Sequence, residues 1–189
     1  MVLVHGGLWE DMDAERFWVR TGVVAGLTAA GVQVAAPDRL PRPESWTEEV
    51  RHLRTLLPQR PVTLVAGSNG CSVAARLAVD DPGRVLRLVL AWPATAGDPQ
   101  VDAWTLEQGA PEGMLTGQTL RGLADAELAG LRMPVAVLPA PAGPFHQRRT
   151  ADALLRLVPG AVPLPASPEP PRPDFRPDDL VATLAGLRP

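Results

Sequence analysis

The chain has 189 residues, a net charge of −3 and 46% hydrophobic residues, so it can build one ordinary core and carries no basic field aimed at nucleic acid or anionic lipid. All 18 basic residues are Arg, and there is neither Lys nor Tyr. That excludes lysine Schiff-base chemistry, a phosphate loop ending in Gly-Lys, and a reductase that protonates its substrate through a Tyr and Lys pair.

Val2-Leu3-Val4 is a short apolar run stopped by Gly6-Gly7 and reads as a buried strand. Ala14 to Ala30 has helical spacing, with Asp11, Asp13 and Glu15 favouring the helix N-terminus and Gly31 ending it. Val32 to Ala36 is a second strand. Ser45-Trp46-Thr47-Glu48 is a capping box for a helix that aligns Trp46, Val50, Leu53 and Leu57. Val62 to Ala66 is the third strand, Cys71 to Val79 a small-residue helix, and Val85 to Ala91 the fourth strand. Residues 93–131 break the rhythm and read as a loop-and-short-helix excursion. Pro134 to Leu138 is the fifth strand, a helix runs from about Gln147 to Val158, and Ala161 to Leu164 is a short sixth strand. Pro165 to Pro177 carries six prolines and must be irregular, and a last amphipathic helix aligns Leu180, Val181, Leu184 and Leu187.

Strands alternating with helices predict an α/β fold with a mostly parallel sheet of about six strands, covered on both faces as three layers. Residues 1–189 read as one domain. Ligands in such folds bind at the carboxyl ends of the strands. The longest chargeless run, Thr21 to Pro37, is broken by glycines and Gln33, so no membrane span is expected. The opening MVLVHGG has no basic segment followed by a long apolar one, which predicts a cytoplasmic protein. The Arg, Ala and Pro excess points to a high-GC bacterial genome. The single Cys71 allows no intrachain disulfide, and the separated His5, His52 and His146 form no metal-ligand pattern. No cofactor or metal is implied. The expected partner is a small-molecule substrate or ligand, with no nucleic acid or membrane; a homodimer is compatible with the sequence.

After the third strand comes Ala66-Gly67-Ser68-Asn69-Gly70, the strand–turn–helix context of a nucleophile elbow, with Ala66 where the motif has its first Gly. After the first strand comes His5-Gly6-Gly7. With these two loops and this element order, the chain resembles the α/β-hydrolase superfamily, in particular its small methylesterase and hydroxynitrile-lyase branch. The resemblance spans nearly the whole chain. It implies an α/β-hydrolase core lacking the usual first two strands, with residues 93–131 as a reduced cap. It matches Ser68 to the nucleophile, and the N–H groups of Asn69 and of Gly7 or Gly6 to the oxyanion donors.

The resemblance places the acid after the Pro134–Leu138 strand and the catalytic histidine after the last strand. Here the first loop, residues 139–144, has no carboxylate, and the second, 166–174, has no histidine. Asp98 or Asp102, one strand earlier, is the candidate acid, and His146 the remaining candidate base. No histidine is expected to complete a Ser–His–acid triad. Glu169, near the expected histidine position, is read as an exposed loop carboxylate, with a weak base whose pKa desolvation raises as the alternative. Trp9, Trp92 and His5 lie on the ligand edge as candidate substrate contacts, with His5 also read as a structural part of its loop. Three functions fit. One is a serine esterase acting on a small ester or similar acyl substrate through a non-standard or incomplete triad. Another is a lyase, decarboxylase or cyclase of secondary metabolism on the same scaffold. The third is an inactive protein that binds a ligand.

Overall fold

A computed structural model describes residues 1–9, 12–141 and 143–187. Its centre is a parallel sheet of five strands in the order β1 (Val2–Val4), β2 (Val62–Gly67), β3 (Val85–Ala91), β4 (Val135–Leu138) and β5 (Val162–Pro163). The expected strand Val32–Ala36 is reduced to a single parallel bridge between Ala35 and Val2, with Leu3 N–H donating to Ala35 O at 2.8 Å. Residues 32–36 alternate between half-buried and exposed, so only one side of the run, with Val32, Val34 and Ala36, packs on the core.

The central strands are apolar on both faces because both faces are covered. Leu64, Leu88, Leu90 and Val137 face α2 (Trp46–Leu56), α3 (Gly70–Asp80) and α6 (Arg148–Leu157). Leu3, Val65, Val89 and Leu138 face α1 (Val23–Ala29) and α7 (Pro177–Ala185). The excursion after β3 holds α4 (Pro99–Glu107) and α5 (Asp125–Leu128).

The single helix expected over Ala14–Ala30 is two pieces. Glu15–Val19 forms a π-helical turn, and Gly22 at φ +86° breaks the chain before α1. The wide turn lets the consecutive Phe17 and Trp18 both point inward, with ring centroids 4.6 Å apart. Asp13 accepts the Arg16 N–H at 2.6 Å, as a helix-start carboxylate should; Asp11 lies outside the described residues. Ser45 caps α2 by accepting from Glu48 N–H at 3.2 Å, while Glu48 reaches back one residue further than a capping box requires, to Glu44 N–H. Among the described residues no helix is long and apolar enough to cross a membrane.

Candidate active site

β2 ends at Gly67 and α3 begins at Gly70, so the chain turns from strand to helix at Ser68 and Asn69. Ser68 takes φ +51°, a left-handed conformation costing a non-glycine residue about 1–2 kcal/mol. The surroundings impose it. Ser68 N–H donates to Ala91 O at 3.0 Å, and Ser68 O accepts from Cys71 N–H at 3.0 Å. A Cβ on Gly70 would stand 2.5 Å from His5 O, so only glycine lets α3 start this close to β1. Cys71 is wholly buried, its Sγ directed at the carbonyls of Ala66 and Ala91, and burial pushes its thiol pKa far up, so it packs rather than reacts.

The loop after β1 lies against this turn. A Cβ on Gly6 would come within 2.9 Å of the Ser68 Cβ. Asn69 is in the first turn at the α3 N-terminus, where backbone N–H groups lack intrahelical acceptors. Both expected sources of oxyanion donors therefore flank the serine. His5 is engaged inside its own loop and does not line the cavity at Ser68. It is 4% exposed, its Nδ1 donates to Gly6 O at 2.7 Å, and its Nε2 accepts Arg39 N–H at 2.9 Å. With both nitrogens engaged in the neutral form, burial and then the Arg39 charge push its pKa down to about 4. Arg39 is itself buried and paired with Glu49 of α2 at 2.5 Å. The sequence reading missed this pair; a lone Arg after a strand carries no signal of its own.

The base and the acid depart most from expectation. His146 Nε2 lies 2.9 Å from Ser68 Oγ, so a histidine does meet the serine. Two tethers to Thr95 place it. Thr95 N–H donates to Phe145 O at 2.8 Å, and Thr95 Oγ1 accepts Gln147 N–H at 3.0 Å, pinning the residues on either side. Burial, and then the nearby Arg172 guanidinium, push the His146 imidazole down to about 4, so it rests neutral. Glu169, expected to be exposed, puts Oε2 3.0 Å from the same Nε2. The carboxylate thus shares the nitrogen facing the serine instead of holding the opposite one. His146 follows β4, where the resemblance expected the acid, and Glu169 follows β5, where it expected the histidine. The two loops carry a histidine and a carboxylate in exchanged positions.

Asp98 is not the acid partner of this histidine. One carboxylate oxygen caps α4 by accepting from Gln100 and Val101 N–H at 3.1 and 3.3 Å. The other accepts from Gln147 Nε2 at 2.9 Å and Arg149 at 3.2 Å. The Gln147 bond, foremost among these, holds the carboxyl below its usual range. Asp102 is taken by Arg121 at 2.8 Å.

Ser68, His146 and Glu169 open onto a cavity of about 270 Å³. Leu8, Ala94, Val101, Trp104 and Phe145 give it apolar walls. Trp104 and Phe145 meet edge-on at 5.1 Å and remain about 40% exposed, at 39% and 42%. The buried Arg121 reaches Asn69 Oδ1 at 3.3 Å. Trp92 is not a wall of this cavity. It is wholly buried against Phe17, Trp18 and Phe175, and its indole N–H donates to Ser167 O at 2.8 Å, holding the loop that carries Glu169. Trp9 lies beside Gly109 and lines a separate, very small recess with Gly7 and Arg39.

The sequence matches no protein-family model and none of the curated proteins. Its fold does match solved structures. MGS-MChE2, an α/β hydrolase from a lagoon-sediment metagenome, superposes with a TM-score of 0.73 at 17% identity, covering 98% of this chain and 88% of that one. A CIB-like hydrolase from Thermoplasma acidophilum gives 0.68 at 12% identity, over 98% and 83%. The thioesterase domain of the curacin biosynthetic pathway gives 0.66 at 14% identity, over 98% and 89%. The chain has the α/β-hydrolase fold.

Proposed function

We propose that the chain is a serine hydrolase of small, largely apolar acyl esters or thioesters. The observation that carries this reading is the 2.9 Å contact between Ser68 Oγ and the His146 imidazole, at a residue held in a left-handed turn. A serine hydroxyl becomes nucleophilic when an adjacent base takes its proton. Ser68 Oγ attacks the acyl carbonyl carbon while His146 Nε2 accepts the hydroxyl proton. The Asn69 and Gly7 N–H groups bind the oxyanion of the tetrahedral intermediate. The leaving alkoxide or thiolate departs with the proton returned by His146. Water then repeats the sequence on the acyl-Ser68 and releases the acid.

Glu169 acts on the charged form of His146. Once Nε2 carries the proton, the carboxylate 3.0 Å away accepts that N–H and offsets the imidazolium charge. The apolar walls and the volume suit a short acyl or arylacyl group, with the Trp104–Phe145 pair at the exposed rim. The thioesterase domain among the like-folded structures makes a thioester the second class to try.

The test is labelling with a fluorophosphonate, followed by hydrolysis of short p-nitrophenyl esters and acyl thioesters. Wild-type protein is expected to label stoichiometrically and turn over. Ser68→Ala should not label and should lose turnover by roughly 10⁴-fold or more. Wild-type protein that neither labels nor turns over any of these substrates would overturn the reading in favour of ligand binding alone.

A further inference from the structure

We infer that Arg39 is the positioning residue of the oxyanion hole, fixing the peptide planes of the loop after β1 so that their N–H groups face Ser68. The inference rests on the hydrolase reading above, since it assigns the loop an oxyanion to bind.

Three consecutive carbonyls converge on one nitrogen. Arg39 Nη1 donates to His5 O at 3.1 Å, Gly6 O at 3.2 Å and Gly7 O at 2.6 Å. In a planar trans peptide the N–H points opposite to the C=O of the same unit. With these carbonyls turned to Arg39, the N–H groups of Gly6, Gly7 and Leu8 are turned away from it. The Gly7 N–H is set twice over, because its carbonyl partner, Gly6 O, also accepts His5 Nδ1–H at 2.7 Å. Gly6 borders Ser68 directly, a Cβ there coming within 2.9 Å of the Ser68 Cβ, so the loop these bonds fix lies against the nucleophile.

Arg39 can hold this geometry because it is itself held. Its Nε donates to Glu49 Oε1 at 2.5 Å, and the two side chains are 4% and 1% exposed. Glu49 projects from α2, which packs on α3 and the sheet core. Arg39 N–H donates to His5 Nε2, closing a ring from strand β1 through the loop to α2. A buried ion pair is weak evidence for stability, because desolvating two charges offsets much of their attraction. A guanidinium whose Nη1 also donates to three carbonyls of one loop gives that pair a structural consequence an apolar pair would lack.

A lysine keeps the charge and can still meet Glu49, but its compact ammonium cannot span Glu49 and three carbonyls at once. If Arg39 only balances Glu49, Arg39→Lys restores function. If it positions the loop, it does not. The experiment therefore compares wild type, Arg39→Lys and the charge-free pair Arg39→Met with Glu49→Met. Readouts are kcat and KM on a p-nitrophenyl ester, and inhibition by a tetrahedral-adduct-forming trifluoromethyl ketone against a planar amide analogue. Thermal unfolding confirms that each variant folds.

Both variants should fold, lose roughly 10²–10³-fold in kcat with KM within about threefold, and lose trifluoromethyl ketone affinity in parallel while keeping the amide. The pH midpoint of kcat/KM should not move, because His146 is untouched. Full kcat in folded Arg39→Lys, or in the charge-free pair, would overturn the inference while leaving the hydrolase reading intact. Equal losses of both inhibitors would also overturn it, by showing that the pocket and not the oxyanion loop had changed. Wild-type protein that neither labels nor turns over would overturn both.

Discussion

Two halves of the site are built by different means. On the β1 and β2 side the groups assigned to the proposed chemistry are backbone N–H groups and one serine, set by a left-handed turn, close glycine packing and the buried Arg39–Glu49 pair. On the β4 and β5 side they are long side chains, His146 and Glu169, carried on irregular loops. Hydrogen bonds steady those loops: one given and one accepted by Thr95, one from the Trp92 indole to Ser167 O, and one from Ser167 N–H to Pro139 O at 3.3 Å. The first half is dictated by where the strands end and permits little substitution. The second requires only that an imidazole and a carboxylate reach the serine, and either loop can supply either. That freedom is what lets base and acid exchange loops without altering the sheet.

The largest expected effects test that exchange directly. His146→Ala should lower kcat by roughly 10³–10⁴-fold, the loss typical of removing the base beside a serine. Glu169→Gln should cost less, roughly 10–100-fold, because the carboxylate offsets the imidazolium charge without holding the far ring nitrogen. Asp98→Ala should leave kcat within about threefold and lower the thermal midpoint slightly through loss of the α4 cap. Steady-state kinetics and thermal unfolding on the three variants check this. A kinetic loss for Asp98→Ala larger than for Glu169→Gln would break the comparison, returning the acid to the strand before β4.

How far each half was legible follows from the same contrast. Ala66-Gly67-Ser68-Asn69-Gly70 announced itself because a strand that turns into a helix in two residues demands small residues at fixed spacing. The β-strands that cross the core were equally plain, being apolar on both faces. Val32–Ala36 misled because an alternating run does not say whether anything covers its outer side. His146 and Glu169 were the hardest, since their meeting depends on how two loops from adjacent parallel strands fold toward one another, and no local pattern records that. The signal available was topological: β4 and β5 are neighbours, so whatever their carboxyl-end loops carry is brought together. Trp92 was ambiguous for another reason. An indole after a strand suits a pocket or a core, and here the core residues Phe17, Trp18 and Phe175 claimed it.

The next test sharpens the electrostatics of the side-chain half. His146 must be neutral to accept the Ser68 proton, and its pKa lies at about 4 rather than the ordinary 6.5. The acid limb of kcat/KM should therefore be displaced downward, with activity nearly flat from pH 7 to 5.5 and falling toward about 4. Stability runs in the same direction. His146 and His5 both have folded-state values below their unfolded ones, so the unfolded chain binds more protons between pH 6.5 and 4. Their contribution is complete above 6.5 and is lost as pH falls through that window. Thermal midpoints at pH 7, 5.5 and 4.5 should decrease in that order. A kinetic midpoint near 6.5 would show that the base is more solvated than its burial implies.

A milder loss than that of the base is expected from the tether that brings His146 to the serine. Thr95 is wholly buried and holds the chain on both sides of His146, through its own N–H to Phe145 O and its Oγ1 from Gln147 N–H. Thr95→Val keeps the shape and the first bond but removes the second. Gln147 is half-buried, so its freed N–H can be partly satisfied by water, and the stability cost should be about 0.5–1.5 kcal/mol. The kinetic cost comes from the ring. A histidine whose downstream neighbour is no longer pinned spends less time at hydrogen-bond distance from Ser68, and displacement by an ångström costs substantially in rate. The expected loss is about three- to tenfold in kcat with KM unchanged, recovered in Thr95→Ser, which restores the oxygen. A Thr95→Val variant that unfolds at lower temperature with kcat intact would mean that the tether serves the fold alone. The walls around the imidazole would then suffice to hold it, as the backbone does on the opposite side of the site.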